Sequence, residues 1–267
     1  MKIGILGCGW LGLPLALHLK SDDNIILGST TQESKLTLLQ EQGISPFQIQ
    51  ITPQVIKGQM HDFLEDLEAL VIDFPPRVRS RSADLFLDEM GLLIDTLEAA
   101  QHLQKIIYVS STSVFQNTTD FKVYDESYVF SEEDQANSAL VKAELMLEKH
   151  LAERVKIIRC GGLIGPDRHP VKYLSGRMNV ANPDAPVNMT YQKDAISVCQ
   201  EVLYNFDALP ASVFHAVDSD ELTRQQFYQK AAAEFLITEP QFDHQHEQEG
   251  KRVLSTQTIA SLNNSLM

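Results

Sequence analysis

The sequence has no long apolar run, little cysteine and no excess of basic residues, and each shortage excludes a class of protein. No stretch approaches the roughly 20 consecutive apolar residues that a membrane-spanning helix needs, so we expect no membrane association. The chain carries 36 Asp and Glu against 22 Lys and Arg, a net charge of -14 over 267 residues. An acidic surface repels phosphate backbones, so we expect no nucleic-acid partner.

Cysteine usage indicates a reducing compartment. The chain has three cysteines, which are far apart and form no Cys-x-x-Cys pair: Cys8, Cys160 and Cys199. This argues against a disulfide framework or a structural zinc site. The amino-terminal segment begins like a signal peptide, but its glycines interrupt the apolar run, so we expect a cytoplasmic protein. His244 and His246 lack an evident third ligand, so we expect no metal site.

Short apolar runs alternate with segments of helical periodicity along the chain. Such runs predict strands at Lys2–Leu6, Asn24–Gly28, Phe47–Ile51, Ala69–Phe74, Lys105–Val109, Val155–Arg159 and Val213–Val217. Helices are predicted at Leu11–Lys20, Gln32–Gln42, Ser82–His102, Gln135–Leu151 and Lys193–Asn205. Strands that alternate with helices indicate an α/β fold, with a doubly wound and mainly parallel sheet covered on both faces.

The loops lengthen after Gly161, where glycine, proline, asparagine and aspartate gather, as in Gly165–Pro170 and Asn179–Asn188. We expect a larger domain over residues 1–160 and a smaller lobe, growing from the carboxyl edge of the sheet, over residues 161–267. The strand near 213–217 is expected to return to the sheet, so that the two units interleave.

Three glycines separate the first predicted strand from the first predicted helix, in the order Gly7-Cys8-Gly9-Trp10-Leu11-Gly12. This spacing matches the dinucleotide-binding fingerprint. The first glycine permits a tight turn, the second lets the backbone approach a pyrophosphate, and the third allows the helix to pack against its strand. The helix then presents free N–H groups and the positive end of its dipole to the phosphates. We therefore expect residues 7–12 to bind NAD or NADP.

The end of the second predicted strand carries no acidic residue. Proteins that bind NAD usually place Asp or Glu there, where it accepts hydrogen bonds from the ribose. This chain instead has Ser29, Thr30 and Thr31, with Lys35 one turn further on. Hydroxyl and ammonium groups can donate hydrogen bonds to a 2′-phosphate, which favours NADP over NAD. A polar strand end that selects neither cofactor is the alternative.

The fourth predicted strand ends at a double proline. Two consecutive prolines cannot continue into a helix and hold the backbone extended. We expect Phe74, Pro75 and Pro76 to border the cofactor, with Phe74 near the adenine or its ribose; a stiff connector without a ligand is the alternative. Three arginines follow, forming either a solvated loop or an anion site: Arg77, Arg79 and Arg81.

Five stretches together resemble the extended or atypical short-chain dehydrogenase/reductases, a family that includes the nucleotide-sugar epimerases and dehydratases. They are GCGWLG at 7–12, VIDFPP at 71–76, YVSSTSVFQ at 108–116, KIIRCGGLIGPDRHP at 156–170 and NMTYQKD at 188–194. The resemblance implies a Rossmann fold with a small C-terminal lobe that faces the substrate. It also implies that Ser110, Cys160 and Gly161 lie beside the bound cofactor.

The chemistry of that family needs a serine or threonine that hydrogen-bonds the reacting oxygen, a tyrosine that transfers a proton, and a lysine four residues after the tyrosine. Counting back from Phe115 places the first of these at Ser111. The tyrosine and the lysine are expected in the helix predicted at Gln135–Leu151. That helix contains no tyrosine.

Two registers of this helix are possible. If Glu144 occupies the acidic position that commonly follows the lysine, Ala136 and Leu140 stand where the tyrosine and the lysine are expected. If Lys142 is the lysine, Ser138 replaces the tyrosine, and a serine hydroxyl is far less acidic than a phenol. The catalytic set is incomplete in both registers.

Two tyrosines in the preceding loop, Tyr124 and Tyr128, are candidates for the missing phenol, and packing at the edge of the site is the alternative. Two functions fit these observations. The first is an NAD(P)-dependent oxidoreductase or nucleotide-sugar-epimerase relative, acting on a small molecule such as a nucleotide sugar or a carbonyl compound. The second is a non-catalytic NAD(P)-binding protein, such as a redox sensor or regulator.

The glycine turn also resembles the β-hydroxyacid dehydrogenases. Those enzymes have a wholly helical domain after the nucleotide domain, and the strands predicted at Val155–Arg159 and Val213–Val217 argue against it. The short-chain family often dimerises through the helices that follow its fourth and fifth strands. Here these are Ser82–His102 and Gln135–Leu151, so a homodimer is an expectation from the resemblance.

Overall fold

The computed structural model of the protein describes residues 1–74, 82–218 and 221–265. The strands are β1 Lys2–Leu6, β2 Ile25–Thr30, β3 Ser45–Ile51, β4 Ile56–Gly58, β5 Ala69–Ile72, β6 Lys105–Ser111, β7 Val123–Tyr124, β8 Val155–Cys160, β9 Gly162–Ile164, β10 Met189–Tyr191, β11 Val213–Ala216 and β12 Arg252–Val253. The helices are α1 Gly12–Lys20, α2 Leu36–Glu41, α3 Met60–Leu64, α4 Ala83–Ala99, α5 Glu132–Asn137, α6 Ala139–Leu151, α7 Gln192–Tyr204, α8 Arg224–Glu234 and α9 Thr256–Ser265.

Eight strands form one sheet in the order β11-β8-β6-β5-β1-β2-β3-β4. Neighbouring strands are parallel except for β3 and β4, which pair antiparallel at one edge. The chain winds outward in both directions from β1, which lies between β2 and β5. At such a reversal of strand order the loops diverge and open a crevice beyond the carboxyl ends of the strands. The predicted doubly wound α/β fold is therefore confirmed.

Both faces of the sheet are covered, and its central strands are buried along their whole length. All four residues of β5 are buried, and so are all six of β8. Helices α4 and α6 cover one face, while α1, α2 and α7 cover the other. The glycine turn lies at the crevice because it connects the carboxyl end of β1 to α1.

A smaller group of elements lies beyond the carboxyl edge of β8. Strands β9 and β10 pair with each other, and α8 packs near them around a third apolar cluster. Strand β11 returns to the large sheet and pairs with β8, from Val213 opposite Ile157 to Ala216 opposite Cys160. The division at residue 160 stays a prediction. No helix in the described part of the chain has both the length and the apolar character needed to cross a membrane.

Helix boundaries differ most from the prediction between residues 132 and 151. One helix was expected from Gln135 to Leu151, but the backbone is extended at Ser138, which separates α5 from α6. The Ser138 side chain accepts a hydrogen bond from Val141 N and so caps α6. Serine favours such a cap because its oxygen satisfies an N–H group that has no partner within the helix. Helix α3 and strand β4 are too short for a periodic signal and were not predicted.

Candidate functional site

The turn between β1 and α1 requires glycine at two positions. Gly7 has a φ of +111°, and a Cβ atom there would lie 2.3 Å from the carbonyl oxygen of Asp73. A Cβ atom on Gly12 would lie 2.1 Å from the carbonyl oxygen of Gly7. Any side chain at either position would therefore displace backbone. These contacts bring β1, α1 and the end of β5 together at the crevice.

The middle of the turn is open where a ligand would need it to be. A Cβ atom on Gly9 would meet no atom within 4 Å. Gly9 N donates to Gly7 O, and Leu13 N donates to Gly9 O. Within the described residues, the amides of Trp10 and Leu11 have no hydrogen-bond partner. Two free amides beside an open position at a helix N-terminus match what a pyrophosphate requires.

A cleft of about 370 Å³ opens beside this turn, and we call it the glycine cleft. Gly7, Cys8 and Gly9 form its floor. Burial raises the pKa of the Cys8 thiol to about 12, so the thiol is neutral and acts as an apolar contact. Leu11 is the N-cap of α1 and is buried, and Gly12 is the first residue of the helix. Both lie behind the floor of the glycine cleft.

The end of β2 forms one wall of the glycine cleft. Ser29 is buried, and its oxygen accepts a hydrogen bond of 2.9 Å from Gly7 N, so this hydroxyl holds the turn itself. Thr30 is also buried and accepts from Gln32 N. Thr31 and Lys35 line the cleft from its exposed rim. Of the four polar residues predicted here, these two are the ones whose side chains face solvent.

Asp73 is an acid in the glycine cleft to which the sequence analysis gave no role. Its Oδ2 accepts a hydrogen bond of 3.0 Å from Gly12 N. Burial raises the pKa of Asp73 to about 6, although the Gly12 N–H group favours the charged form. This carboxylate therefore competes with a bound anion for the positive end of α1. The sequence signal that could have identified Asp73 as a site residue is its position directly after a buried strand.

The segment after β5 that was predicted to border the cofactor is described only in part. Phe74 lines the glycine cleft and its ring stacks on Phe86, with ring centroids 6.2 Å apart. Pro75 and Pro76 lie outside the described residues. The arginines expected to form a loop or an anion site also lie outside them: Arg77, Arg79 and Arg81.

Trp10 points away from the glycine cleft, toward the loop that follows β9. Its indole N–H donates to Asp167 Oδ1 at 2.8 Å, and the Arg168 guanidinium lies 5.1 Å from the ring centroid. A Cβ atom on Gly165 would lie 2.5 Å from the indole ring, so the loop can approach only because residue 165 is glycine. Trp10 thus connects the glycine turn to the segment that begins the smaller lobe.

The two serines at the end of β6 have different surroundings. Ser110 is buried and donates a hydrogen bond of 2.5 Å to Glu144 Oε1, which occupies its hydroxyl. Ser111 is half-buried. Its Oγ accepts a hydrogen bond from Ser113 N and donates one to Ser113 Oγ. Ser111 is therefore the hydroxyl at this strand end that a ligand can reach.

Glu144 belongs to a buried charged cluster behind Ser110. The Arg159 guanidinium donates to both carboxylate oxygens of Glu144, with the shortest distance 2.7 Å. Arg159 also lies over the rings of Phe115 and Phe130, at 5.1 Å and 4.8 Å from their centroids. These contacts fix the position of α6 relative to the ends of β6 and β8.

With Glu144 so placed, neither predicted register supplies a proton-transfer pair. Ala136 is exposed on α5, and Leu140 is buried on α6. Ser138 caps α6 with its side chain, and Lys142 is exposed. No phenol or buried amine comes from this helix pair.

The two candidate tyrosines lie in an aromatic cluster with Phe115. The ring of Tyr124 stacks on Phe115 at 4.5 Å, and its hydroxyl donates to Gln116 O. The hydroxyl of Tyr128 donates to Asp134 Oδ2 at 2.9 Å. Neither tyrosine lines the clefts described in this section. In this arrangement both phenols serve packing and loop structure.

Cys160 is the last residue of β8 and Gly161 follows it, and their place beside a bound cofactor stays a prediction. Burial raises the pKa of the Cys160 thiol to about 12, so it is not a nucleophile at neutral pH. A Cβ atom on Gly161 would lie 2.5 Å from Asn188 O, so this backbone packs against the strand that follows. Gly161 N donates to Thr190 Oγ1 at 2.7 Å.

A second cleft, of about 210 Å³, was not predicted from the sequence, and we call it the lysine cleft. Thr112 and Ser113, which follow β6, form one side, and Asn188 forms another. Arg224 and Lys251 bring two cations into it. The Arg224 Nε is buried without a hydrogen-bond partner within the described residues. Lys251 begins the stretch 251–262, which resembles the substrate lobe of the short-chain family, but no motif marked Lys251 itself as a site residue.

His244 and His246, the histidine pair weighed as metal ligands, belong to no metal-binding group in the described part of the chain. His246 Nδ1 lies 2.5 Å from Asp243 Oδ2 in an exposed pair. No group of three or more His, Cys, Asp or Glu residues suited to a metal ion occurs among the described residues.

No known protein-family profile matches the chain. Among characterised sequences, protein YeeZ of Escherichia coli K12 is 26% identical over 242 residues, which cover 90% of this chain and 86% of that protein. Its name states no activity.

Solved structures resemble the fold over nearly the whole chain. A putative NAD-dependent epimerase/dehydratase from Methylobacillus flagellatus gives a TM-score of 0.70 at 21% identity, covering 97% of this chain and 91% of that one. Human epimerase family protein SDR39U1 (isoform 2), solved with NADPH, gives 0.68 at 13% identity, covering 98% and 93%. UDP-N-acetylglucosamine 4-epimerase from Bacillus cereus gives 0.72 at 16% identity, with the same coverage. The predicted resemblance to extended short-chain dehydrogenase/reductases is confirmed at the level of the fold.

Proposed function

We propose that the chain binds NADP, or NAD, in the glycine cleft and acts as an oxidoreductase or an epimerase relative on a small molecule. The observation that carries the proposal is the open position at Gly9 beside the free amides of Trp10 and Leu11. A pyrophosphate would accept hydrogen bonds from both amides at the positive end of α1. When bound, a nicotinamide cofactor supplies hydride transfer, which no protein side chain provides.

The rim of the glycine cleft favours NADP. Thr31 and Lys35 are exposed there, and Lys35 brings a positive charge to a strand end without a carboxylate of its own. A 2′-phosphate would gain an ion pair with Lys35 and meet no like charge from β2 itself. The substrate is either a nucleotide sugar or a carbonyl compound, classes that fit the resemblance to epimerases.

Calorimetric titration with NADP and NAD tests this proposal. We expect tighter binding of NADP, and the variant K35A should lower its affinity by about 1 kcal/mol or more while leaving NAD nearly unaffected. K149A removes an exposed lysine at the distant end of α6 and is the matched control. Equal or tighter NAD binding by the wild type would contradict the preference, and no binding of either nucleotide would contradict the proposal itself.

A non-catalytic NAD(P)-binding sensor is the second candidate. The specific observation in its favour is that α5 and α6, which replace the expected single helix, present neither a tyrosine nor a buried lysine. Turnover assays with NADPH separate the two. An oxidoreductase consumes NADPH with a carbonyl substrate, whereas a sensor binds it without consuming it.

A homodimer through the outer faces of α4 and α6 also stays a proposal from the resemblance. Helices α4 and α6 pack side by side on one face of the sheet, so together they present a continuous surface. Light scattering during size-exclusion chromatography measures the mass directly. A mass near twice the 30.0 kDa of the chain is expected for the dimer.

A further inference from the structure

The lysine cleft lies directly beyond the carboxyl end of β6, where the proposed function places the reacting end of a substrate. Thr112 and Ser113 follow directly after Ser111 and line the cleft. On the opposite side Asn188 lines it, and the Asn188 carbonyl accepts a hydrogen bond of 2.8 Å from Gly162 N. The cleft is thus bounded by the end of β6 and, through Asn188, adjoins the start of β9, which follows β8 in the chain.

Lys251 enters this cleft from a rigid segment. Its Nζ donates a hydrogen bond of 2.5 Å to the carbonyl oxygen of Phe115, four residues after Ser111. The Asn188 side chain donates to Lys251 O at 2.9 Å and accepts from Val253 N at 2.8 Å, which fastens the backbone on both sides of the lysine. Because the backbone is fixed, the ammonium group is held at the cleft wall.

The surroundings of Lys251 make its proton available near neutral pH. Burial lowers the pKa of Lys251 to about 8. Lys251 takes part in none of the ion pairs among the described residues. The other titratable or charged groups lining the cleft are Arg224, Tyr228 and the exposed Glu249. A buried amine without an ion-pair partner among the described residues is suited to general acid–base catalysis.

We propose that Lys251 is the proton-transfer group of this protein and takes the place of the absent tyrosine. The assignment rests on the proposed oxidoreductase function. In a reduction, the carbonyl carbon of the substrate accepts a hydride from the reduced nicotinamide, and its oxygen accepts a proton from the Lys251 ammonium. The products are the alcohol, the oxidised nicotinamide and a neutral amine, which regains its proton from water. Ser113, which lines the same cleft, provides a hydroxyl donor for that oxygen.

The test combines binding, turnover and the titration of the amine itself. Variants K251M and K251R are compared with K230M, which removes an exposed lysine of α8, and with Y228F, which removes the phenol of the same cleft. For each, calorimetry gives the Kd for NADPH. NADPH consumption with a panel of aldehydes, ketones and a nucleotide-linked ketosugar gives kcat and KM. These are measured from about pH 6 to 9.5, a range that brackets the pKa of Lys251.

Acetylation of the wild-type protein with acetic anhydride at each pH, followed by peptide mass spectrometry, needs no variant. Lys251 should titrate near pH 8, and Lys230 should serve as the reference for an ordinary exposed amine. We expect K251M to bind NADPH within about twofold of wild type and to lose at least about 100-fold in kcat, with little change in KM. K251R should also be slow, since its guanidinium does not release a proton.

The outcomes separate this assignment from the proposed function. If the wild type binds no nicotinamide nucleotide, the proposed function fails and the assignment with it. If NADPH binds but no substrate of the panel is turned over, the oxidoreductase function fails, the assignment fails with it, and the sensor function is supported. If NADPH binds and is consumed, the assignment alone is overturned by either of two results: turnover of K251M close to that of K230M, or Lys251 titrating together with Lys230. A loss of kcat in Y228F without one in K251M would transfer the role to Tyr228.

Discussion

Arg159 shows how one residue can fix the geometry of a site without contacting a ligand. Its side chain is 4% exposed and that of Glu144 is 1% exposed, so both charges have lost their water. The pair is retained because Arg159 donates to both carboxylate oxygens, Ser110 donates to one of them, and two aromatic rings flank the guanidinium. Each partner therefore depends on the other.

Replacing Glu144 by glutamine should destabilise the protein strongly. The buried Arg159 would keep its charge without a compensating carboxylate, a change that typically costs about 3–5 kcal/mol. Urea unfolding followed by circular dichroism measures the difference in free energy. E98Q breaks the exposed pair with His150 and should cost less than about 1 kcal/mol. Equal effects of the two variants would show that the buried pair is not essential to stability.

Asp73 should make stability depend on pH. Its pKa is about 6 in the folded protein against 3.8 when unfolded, so the folded state holds the proton more tightly. The free energy of unfolding should therefore fall as pH rises from about 4 through 6, by up to about 3 kcal/mol from this group. The Asn variant keeps an acceptor for Gly12 N but has no charge to bury.

We expect D73N to be more stable than the wild type at pH 7.5 by roughly 1–3 kcal/mol and equally stable near pH 4. Urea unfolding across this pH range gives the difference between the two proteins. D95N removes an exposed carboxylate of α4 and should leave the pH dependence unchanged. A D73N curve parallel to that of the wild type would show that Asp73 does not titrate in this range.

The turn between β1 and α1 is the element on which nucleotide binding depends. Gly9 and Gly91 both have room for a methyl group, since the nearest atom to a Cβ on Gly91 is Met146 Cε at 3.9 Å. Neither has a positive φ. Alanine should therefore be tolerated by the fold at both positions, and only at Gly9 should it occupy space that a pyrophosphate needs.

For G9A we expect an unchanged melting temperature and a loss of affinity for NADP of at least about tenfold, or 1.4 kcal/mol. For G91A, within α4, we expect unchanged affinity and a gain in stability of up to about 1 kcal/mol from the better helix propensity of alanine. Differential scanning fluorimetry and calorimetry measure the two quantities. Unaltered NADP binding by G9A would place the phosphates elsewhere.

Elements with a strong local signal were predictable, and elements decided by a single contact were not. The buried strand Ala69–Ile72 lies within the prediction because an apolar run followed by prolines has few alternatives. The break at Ser138 was missed because the apolar periodicity continues through it, and only the cap to Val141 N reveals it. Lys251 was missed for a similar reason, since burial of its amine depends on distant segments.

At the scale of the whole molecule, Trp10 is the one tryptophan of the chain and lies between the glycine turn and the smaller lobe. Its emission should therefore change when a nucleotide binds to the neighbouring amides. We expect saturating NADP, in its oxidised and weakly absorbing form, to alter the intensity or the wavelength of Trp10 emission. The change should be weakened in G9A, and constant emission despite calorimetric binding would contradict this placement.

The connection that Trp10 makes also shows what could not be read from the sequence. The glycine spacing predicted a nucleotide-binding turn, and the alternating pattern predicted the layers of the fold. Neither pattern contains the contact between Trp10 and Asp167, which are separated by 157 positions. Contacts between distant segments depend on how the smaller lobe packs, and loop composition alone does not determine that packing.

Strand β11 lies at one edge of the eight-stranded sheet, and side chains rather than another strand close that edge. His215 N donates to Thr258 Oγ1, while Ser255 Oγ accepts from Val217 N and donates to Val217 O. Open edges invite strand addition between molecules. Proteolytic cleavage just before Leu254, followed by loss of the released segment, would expose the backbone groups at this edge of β11. The cleaved protein should then be prone to fibrous self-association.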